Sequence, residues 1–521
     1  MKNKKTLTAD VVIVGASIGG VIAAYQCARS GHSVIMFEYA EWIGGQLTSQ
    51  AVPPDEHRWI EAQGATATYR EFRRKVREHY RNCELLKPEA RADEFLNPGQ
   101  AIVSAIAHEP KVGLGILLDM LRPYTDSGMI RLFLRSKLKG ATADDRFVKE
   151  VEIKSDGVEY VLKGSYFLDA TDCGDLLPLV TRDYVSGAES RAETGETHAA
   201  EVGNPLDMQP ITYSAAVEFA PEQTECLMNE PEMYRHFKKI IQPLSGKGVL
   251  SMYGPSLNHG KARQFGLLEG EKDEFGNGLF PLFPYRRIVY SGHYLDPHSV
   301  RDVTMVNWPQ NDYYFDNVYD SEDDAYNRYM ARQLTLSLVY YMATEAERPD
   351  GKRGLRGLNL RPDITGTADG VSQMPYIRES RRIKAIKTIT EDMLSKEKHP
   401  VATHFEDSVG VGCYHIDLHM TTKTHTHCYY EVQPFEIPLS AMIPLKLENL
   451  IPACKNIGTT HLTNGCYRLH PVEWNVGEVA GLLVSYCMDE KVTPRTVYKN
   501  KTKLRSFQQL LSDSGIQLSW I

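Results

Sequence analysis

The sequence predicts an α/β fold: a parallel-sheet domain interrupted by a mixed α+β domain. Three observations predict it. From Val11 to Glu38 a β-branched apolar run, a glycine turn, a helical apolar pattern and a second apolar run follow one another. Further apolar strands stand at Phe167 to Ala170 and at Asn449 to Ala453. Between them the chain turns to short strands, long Pro- and Gly-bearing loops and one long helical stretch.

The head of the chain is a βαβ unit. Val11 to Val14 suits a strand buried on both faces. Gly15 allows the tight turn off that strand, and Gly20 allows close helix–strand packing. The helix that opens at Ser17 and Ile18 points free N–H groups and its positive dipole end at a pyrophosphate. Ser17 replaces the middle glycine of G-x-G-x-x-G, and its hydroxyl is available to a phosphate. Glu38, at the tip of the second strand, accepts hydrogen bonds from ribose hydroxyls and disfavours a 2′-phosphate. A chance glycine turn before a core helix is the alternative; strand, turn, helix, strand and acid in register favour a nucleotide.

Composition narrows the function classes. At 521 residues the chain has room for two or three domains. Its 59 basic and 67 acidic residues give a net charge of −8 with no basic block, which argues against a nucleic-acid partner. Nine scattered cysteines, none in C-x-x-C spacing, argue against a disulfide scaffold or an iron–sulfur site and for a reducing, cytoplasmic setting. Lys2, Lys4 and Lys5 before an apolar run imitate a signal peptide, but Asp10 and the glycine turn assign the run to the βαβ unit. No stretch is apolar for 18 residues, so no membrane span is expected.

After Glu38 comes a second glycine pair, Gly44-Gly45, followed by Gln46, Leu47 and Thr48. This arrangement resembles glutathione-reductase-like flavoproteins and implies FAD. In that family the loop runs along the ribityl chain, with Gln46 to Ser49 under the flavin ring. The alternative is a surface loop. Residues 61–82 read as a basic amphipathic helix with Tyr69, Phe72, Val76 and Tyr80 on one face, packed on the domain. Residues 83–110 read as irregular and 111–128 as helical. From Ile130 to Leu168 short strands follow, resembling the three-stranded meander of FAD-binding domains. The return strand ends in Asp169-Ala170-Thr171-Asp172, similar to the second phosphate-side motif of the same superfamily. Asp172 stands where glycine is commoner.

Several separated motifs then resemble one group, the FAD-dependent oxidoreductases often labelled xanthan-lyase-related. They are the head, the D-A-T turn, Asn307-Trp308-Pro309-Gln310-Asn311-Asp312, Arg378-Glu379-Ser380-Arg381-Arg382-Ile383 and the tail. The resemblance implies a Rossmann-like FAD-binding domain of glutathione-reductase type with an inserted substrate or cap domain. The expected division is 1–182 and 441–490 for the FAD domain, 183–440 for the cap and 491–521 for a C-terminal helical segment. No second G-x-G-x-x-G stands in residues 197–440, so a pyridine-nucleotide–disulfide reductase is not expected.

In the tail, Asn449 to Ala453 reads as the last parallel strand, and the resemblance puts Lys455 and Asn456 near the ribityl and pyrophosphate. Pro471 suits the first turn of a helix that aims its positive end at the flavin. The resemblance therefore adds Glu473, Trp474 and Asn475 to the cofactor contacts and sets Arg468 and His470 close to the ring. Asp407 to Tyr430 is histidine-rich: His415, Asp417 and His419 alternate, and so share one face of a strand. A flavin-facing polar wall, a transition-metal site and an exposed hairpin all remain open for it; the wall is favoured and no metal is assigned.

The resulting expectation is an FAD-dependent oxidoreductase that passes hydride from a polar small molecule to flavin N5. The substrate class is a sugar, polyol, amino acid or amine. His470 and His415 are the candidate bases, and Arg468 holds an anionic substrate group or the charge of reduced flavin. Arg378 and Arg381 are weaker anion-binding candidates, read first as salt-bridge partners. Non-covalent flavin is the default, with His461, Cys466 and Cys173 as the residues that would carry a covalent link. A non-redox eliminase, isomerase or lyase, and a non-catalytic FAD-binding protein, are the competing readings. Monomer and homodimer are both open.

Overall fold

A parallel sheet carries one end of the molecule. The computed structural model describes residues 4–255, 262–348 and 350–520, so Lys2 lies outside it. In chain order the first half runs Lys5–Thr8 (β1), Val11–Val14 (β2), Ile18–Arg29 (α1), Val34–Phe37 (β3), Ala67–Arg81 (α2), Pro110–Asp126 (α3), Ile130–Phe133 (β4), Lys137–Ala143 (β5), Val148–Ser155 (β6), Val158–Lys163 (β7) and Tyr166–Asp169 (β8). The second half contributes Ala215–Phe219 (β9), Arg287–Val289 (β10), Val303–Val306 (β11), Asp324–Thr344 (α4), Leu358–Leu360 (β12), Ser408–Gly412 (β13), Ile416–Leu418 (β14), Cys428–Tyr430 (β15), Phe435–Pro438 (β16) and Leu450–Pro452 (β17). It ends in the helices His461–Tyr467 (α5), His470–Asp489 (α6), Pro494–Lys499 (α7) and Lys501–Asp513 (α8).

The parallel sheet has the order β17-β8-β2-β3-β4. All four residues of β2 are fully buried, as a strand covered on both faces must be. One expectation is corrected here. Ile130–Phe133 is not part of the meander but the edge strand of the parallel sheet, delivered there by α3 and paired with β3. The meander is β5-β6-β7, and the N-terminal β1 adds a parallel fourth strand to it.

Helix α1 lies against α6 at glycine distance. A Cβ on Gly477 would overlap the Cα and carbonyl of Gly19, and one on Gly481 would meet the Ala23 carbonyl. Helix α2 buries Tyr69, Phe72, Val76 and Tyr80, the face that helical spacing marks as apolar.

A second core surrounds the antiparallel sheet β10-β11-β9-β12. Val217, Val306, Trp308, Leu334, Leu338 and Leu358 belong to it, with α4 supplying the leucines at 334 and 338. The expected boundary at 440 does not match the packing. Ile389, Val409, Ile416, Leu418, Phe435 and Ile437 pack in one cluster with Val11 and Ile13. The reason is the alternation in β14, which turns Ile416 and Leu418 toward the first core and His415, Asp417 and His419 away from it.

Candidate functional site

A cavity of about 640 Å³ opens where β2 and β8 end. Gly15, Glu38, Gln50, Ala170, Thr171 and Asp172 line it from the first core; Tyr319, Arg328 and Met374 line it from the second region. Gly15 has φ +91°, and a Cβ there would strike the Ala170 carbonyl. Gly20 is held against Gly15 and Ala170 in the same way. Among the described residues, the N–H groups of Ser17 and Ile18 donate to no protein acceptor, so the end of α1 keeps two open donors. The Ser17 hydroxyl caps its own helix, accepting from Gly20 N at 3.5 Å, and this leaves its O–H proton to donate. Glu38 accepts from Ala16 N at 2.7 Å and Ala40 N at 2.9 Å; burial pushes its carboxyl up to about 7 against those bonds. Gly44 (φ +100°) and Gly45 (φ +47°) fold the next loop back over this turn, with Gly44 N bonded to Ala16 O at 2.7 Å.

Beneath the cavity runs a chain of buried charges. Lys455 Nζ lies 2.5 Å from Asp172 and 3.5 Å from Glu473. Glu473 accepts from Gly19 N at 3.4 Å and from the Cys454 thiol at 3.2 Å. Gln46 donates to Glu473 and to the Arg468 carbonyl. Asp172, Lys455, Glu473 and Gln46 thus connect the cavity floor to Arg468. Leu47 is buried beside them, and the Thr48 hydroxyl bonds the Ile43 carbonyl.

Three expected cofactor contacts point elsewhere. Asn456 clamps two loops, donating to Asp169 O and accepting from Cys454 N. Trp474 is fully buried against Tyr69 and Phe72 and donates to Thr68 at 2.8 Å. Asn475 donates to Val409 O at 3.4 Å and is pressed against Gly410. Helix α6 turns Trp474 and Asn475 toward α2 and β13. Of the covalent-link candidates, Cys173 borders the cavity, Cys466 is core, and His461 is paired with Glu379 at 2.9 Å.

A second polar cluster lies where the two cores meet. Arg468 donates to the Tyr376 hydroxyl at 2.5 Å and lies 3.3 Å from the Asp417 carboxylate. Tyr414 donates to Asp417 at 3.3 Å. His419 stands between two acids: Nδ1 is 2.5 Å from Asp312 and Nε2 is 3.6 Å from Asp417. Asp312 also takes bonds from Arg378 at 2.8 Å and Thr212 at 2.5 Å. Burial pushes the Asp312 carboxyl up, but Arg378, His419 and Thr212 outweigh it and hold it at about 2. Arg378 and Arg381 are ion-paired, the latter to Asp320 and Asp175.

His470 and His415 do not fit a base. His470 is fully buried, accepts the Asp55 N–H on Nδ1 at 3.1 Å, and is pushed down to about 3 by burial. His415 packs on Tyr429, its pKa is lowered by burial, and no carboxylate orients it. Among the hairpin histidines, His419 stands between two acids. Its sequence signal was the alternation it shares with His415, and that of Asp312 was its place in the N-W-P-Q-N-D stretch. Asp55, Arg286 and Tyr376 carried no signal. Buried polar atoms without a hydrogen-bond partner include Gln46 Oε1, Gln50 Oε1, Arg286 Nε and Nη1, both amide atoms of Asn307, Arg468 Nε and His470 Nε2. Among the described residues no group of three His, Cys, Asp or Glu side chains is placed to hold a metal ion. Nor is any described helix long and apolar enough to cross a membrane.

A family model described as FAD dependent oxidoreductase matches residues 10–511. An FAD-dependent monooxygenase of Arthrinium sp is 43% identical over 54 residues, 10% of this chain and 13% of that protein. One of Nectria sp is 39% identical over 54 residues with the same coverage, so the chain spans only 13% of the length of these curated relatives. Among solved structures, E. coli quinol fumarate reductase aligns over 98% of this chain and 74% of its own, at 12% identity and TM-score 0.33. A geranylgeranyl bacteriochlorophyll reductase-like protein of Thermoplasma acidophilum covers 98% of this chain and 85% of its own, at 9% identity and TM-score 0.32.

Proposed function

The chain belongs to the FAD dependent oxidoreductase family, and on that premise we propose that it oxidises a polar small molecule where its two cores meet. The residues present fit FAD. The open N–H groups of Ser17 and Ile18 suit a pyrophosphate, Glu38 at the cavity rim suits ribose hydroxyls, and the unpartnered Gln46 and Gln50 oxygens are acceptors for a ring N–H or a ribityl hydroxyl. When bound, FAD supplies a two-electron acceptor that takes hydride from a substrate carbon.

The chain supplies the proton chemistry. The observation that carries the reading is the His419–Asp312 pair, which meets Arg468 across Asp417, with Arg468 Nε left without a partner. Asp312, held ionised by Arg378, fixes the His419 ring through Nδ1; Nε2 faces the Asp417 carboxylate at 3.6 Å, and the His419–Asp417 pair takes the proton of a substrate hydroxyl or amine. Neutral His470 donates from Nε2 and orients the substrate. Arg468 and Tyr376 hold its polar end. A sugar, polyol, amino acid or amine meets these demands.

The test is the visible spectrum of the purified protein, followed anaerobically against those four classes. Bleaching by one class supports the reading; a bound flavin that none of them bleaches counts against it. In His419→Gln, flavin reduction at saturating substrate should slow by about 10²–10⁴-fold with FAD retained. Unchanged kinetics remove His419 from the mechanism.

A further inference from the structure

We propose that Arg286 and Arg468, one from each core, bind a carboxylate of the substrate, so that the oxidised molecule is an acid. The inference rests on the oxidoreductase reading above and narrows its substrate class.

Both arginines are buried, and each keeps N–H groups without a protein partner. Arg286 follows the segment 282–285 and is 8% exposed; Arg468 follows α5 and is 2% exposed. Arg286 Nε and Nη1 and Arg468 Nε have no hydrogen-bond partner. Their acidic contacts are long: Arg286 to Asp55 is 3.4 Å and Arg468 to Asp417 is 3.3 Å. Charge-assisted bonds close to about 2.7–2.9 Å when a carboxylate serves a guanidinium fully. Asp55 links the two arginines: its carboxylate lies 3.4 Å from Arg286, and its N–H donates to His470, two residues past Arg468. His470 adds a further donor. Its Nδ1 accepts the Asp55 N–H, which leaves the proton on Nε2, and Nε2 has no partner.

A buried guanidinium with unused N–H groups is costly unless an acceptor arrives. The unused donors come from two arginines, and a carboxylate offers two oxygens to bridge them. Asp55 and Asp417 already offset two positive charges here, so the site favours a monoanionic head over a phosphate dianion.

The experiment uses the FAD-loaded enzyme and reads binding rather than turnover. Acetate, malonate and gluconate are titrated by calorimetry against acetamide, malonamide and glucitol, with inorganic phosphate as a further probe. At least one carboxylate should bind where its neutral counterpart does not. Arg286→Gln should weaken it at least about 10-fold with flavin content unchanged. Equal binding of the neutral compound, tighter binding of phosphate, or unchanged affinity in Arg286→Gln overturns the proposal. So does loss of FAD from that variant, which would assign Arg286 to the cofactor. Should Arg286→Gln not fold, Arg286→Lys carries the same test, because it keeps the charge opposite Asp55 and loses the planar fork; undiminished affinity again overturns the site. A carboxylate that binds and never bleaches the flavin supports this site and counts against the oxidation. A neutral compound that bleaches the flavin does the reverse.

Discussion

Replacing Lys455 by methionine removes one charge from the middle of the molecule and little else. Lys455 is fully buried, 2.5 Å from Asp172 and 3.5 Å from a fully buried Glu473. Methionine has a similar length and packs in the same space, so the cavity term is small. What remains is a Glu473 carboxylate with its cation gone, still bonded to Gly19 N and Gln46. Removing one partner of a buried ion pair costs about 3–5 kcal/mol. Asp172 keeps 24% side-chain exposure, so solvent screens its share and the lower end, about 3 kcal/mol, is expected. Urea unfolding of the FAD-free protein measures this directly. Lys455→Met/Glu473→Gln should regain more than half of the loss, because it removes the orphaned charge. A single variant within about 1 kcal/mol of wild type, or a double variant no better than the single, refutes the claim that Lys455 is held there by charge.

Three other outcomes follow from the geometry. The Asp312 carboxyl is depressed from 3.8 to about 2, which is worth about 2 kcal/mol at 1.36 kcal/mol per pH unit. A depressed acid stabilises above its unfolded pKa, so the deficit of Asp312→Asn should be full at pH 6 and vanish as pH falls from about 4 to 2; a deficit constant with pH, read by urea titration, contradicts the pairing. Gly477→Ala drives a Cβ into the backbone of Gly19 and should lower the melting temperature by the equivalent of at least 1–3 kcal/mol while weakening FAD retention, since the start of α1 must move; a wild-type melt would mean α1 and α6 are looser than drawn. Trp474→Phe forfeits the Thr68 bond and part of a packed ring, about 1–3 kcal/mol, yet should leave the flavin spectrum untouched. An altered spectrum would return Trp474 to the cofactor.

The parts of this molecule legible in sequence are those whose partners are near in the chain. Gly15, Gly20 and Glu38 act within one βαβ unit, and its periodicity states both the strand and the turn. The tail of the site was legible only to the resolution of a helix. Glu473 and Trp474 are neighbours, but a step of about 100° around α6 sends one to Gly19 and the other to α2, and nothing local says which. The same limit separates His415 from His419. Alternation places both on one face of β14; the difference is Asp312, which is 107 positions from His419 and on the other core. Arg286 had no signal because its meaning lies in what it lacks, a partner for Nε and Nη1, and an absence of partners exists only once the chain is folded. Where the chain passes from one core to the other is hidden for a related reason. A strand with one apolar face reads alike whichever core receives it, and β13 to β16 give that face to the sheet domain while presenting the histidines to the other. That arrangement explains why the acid and the base of the proposed proton transfer come from different cores: the site is the seam, and each side contributes what the other cannot see.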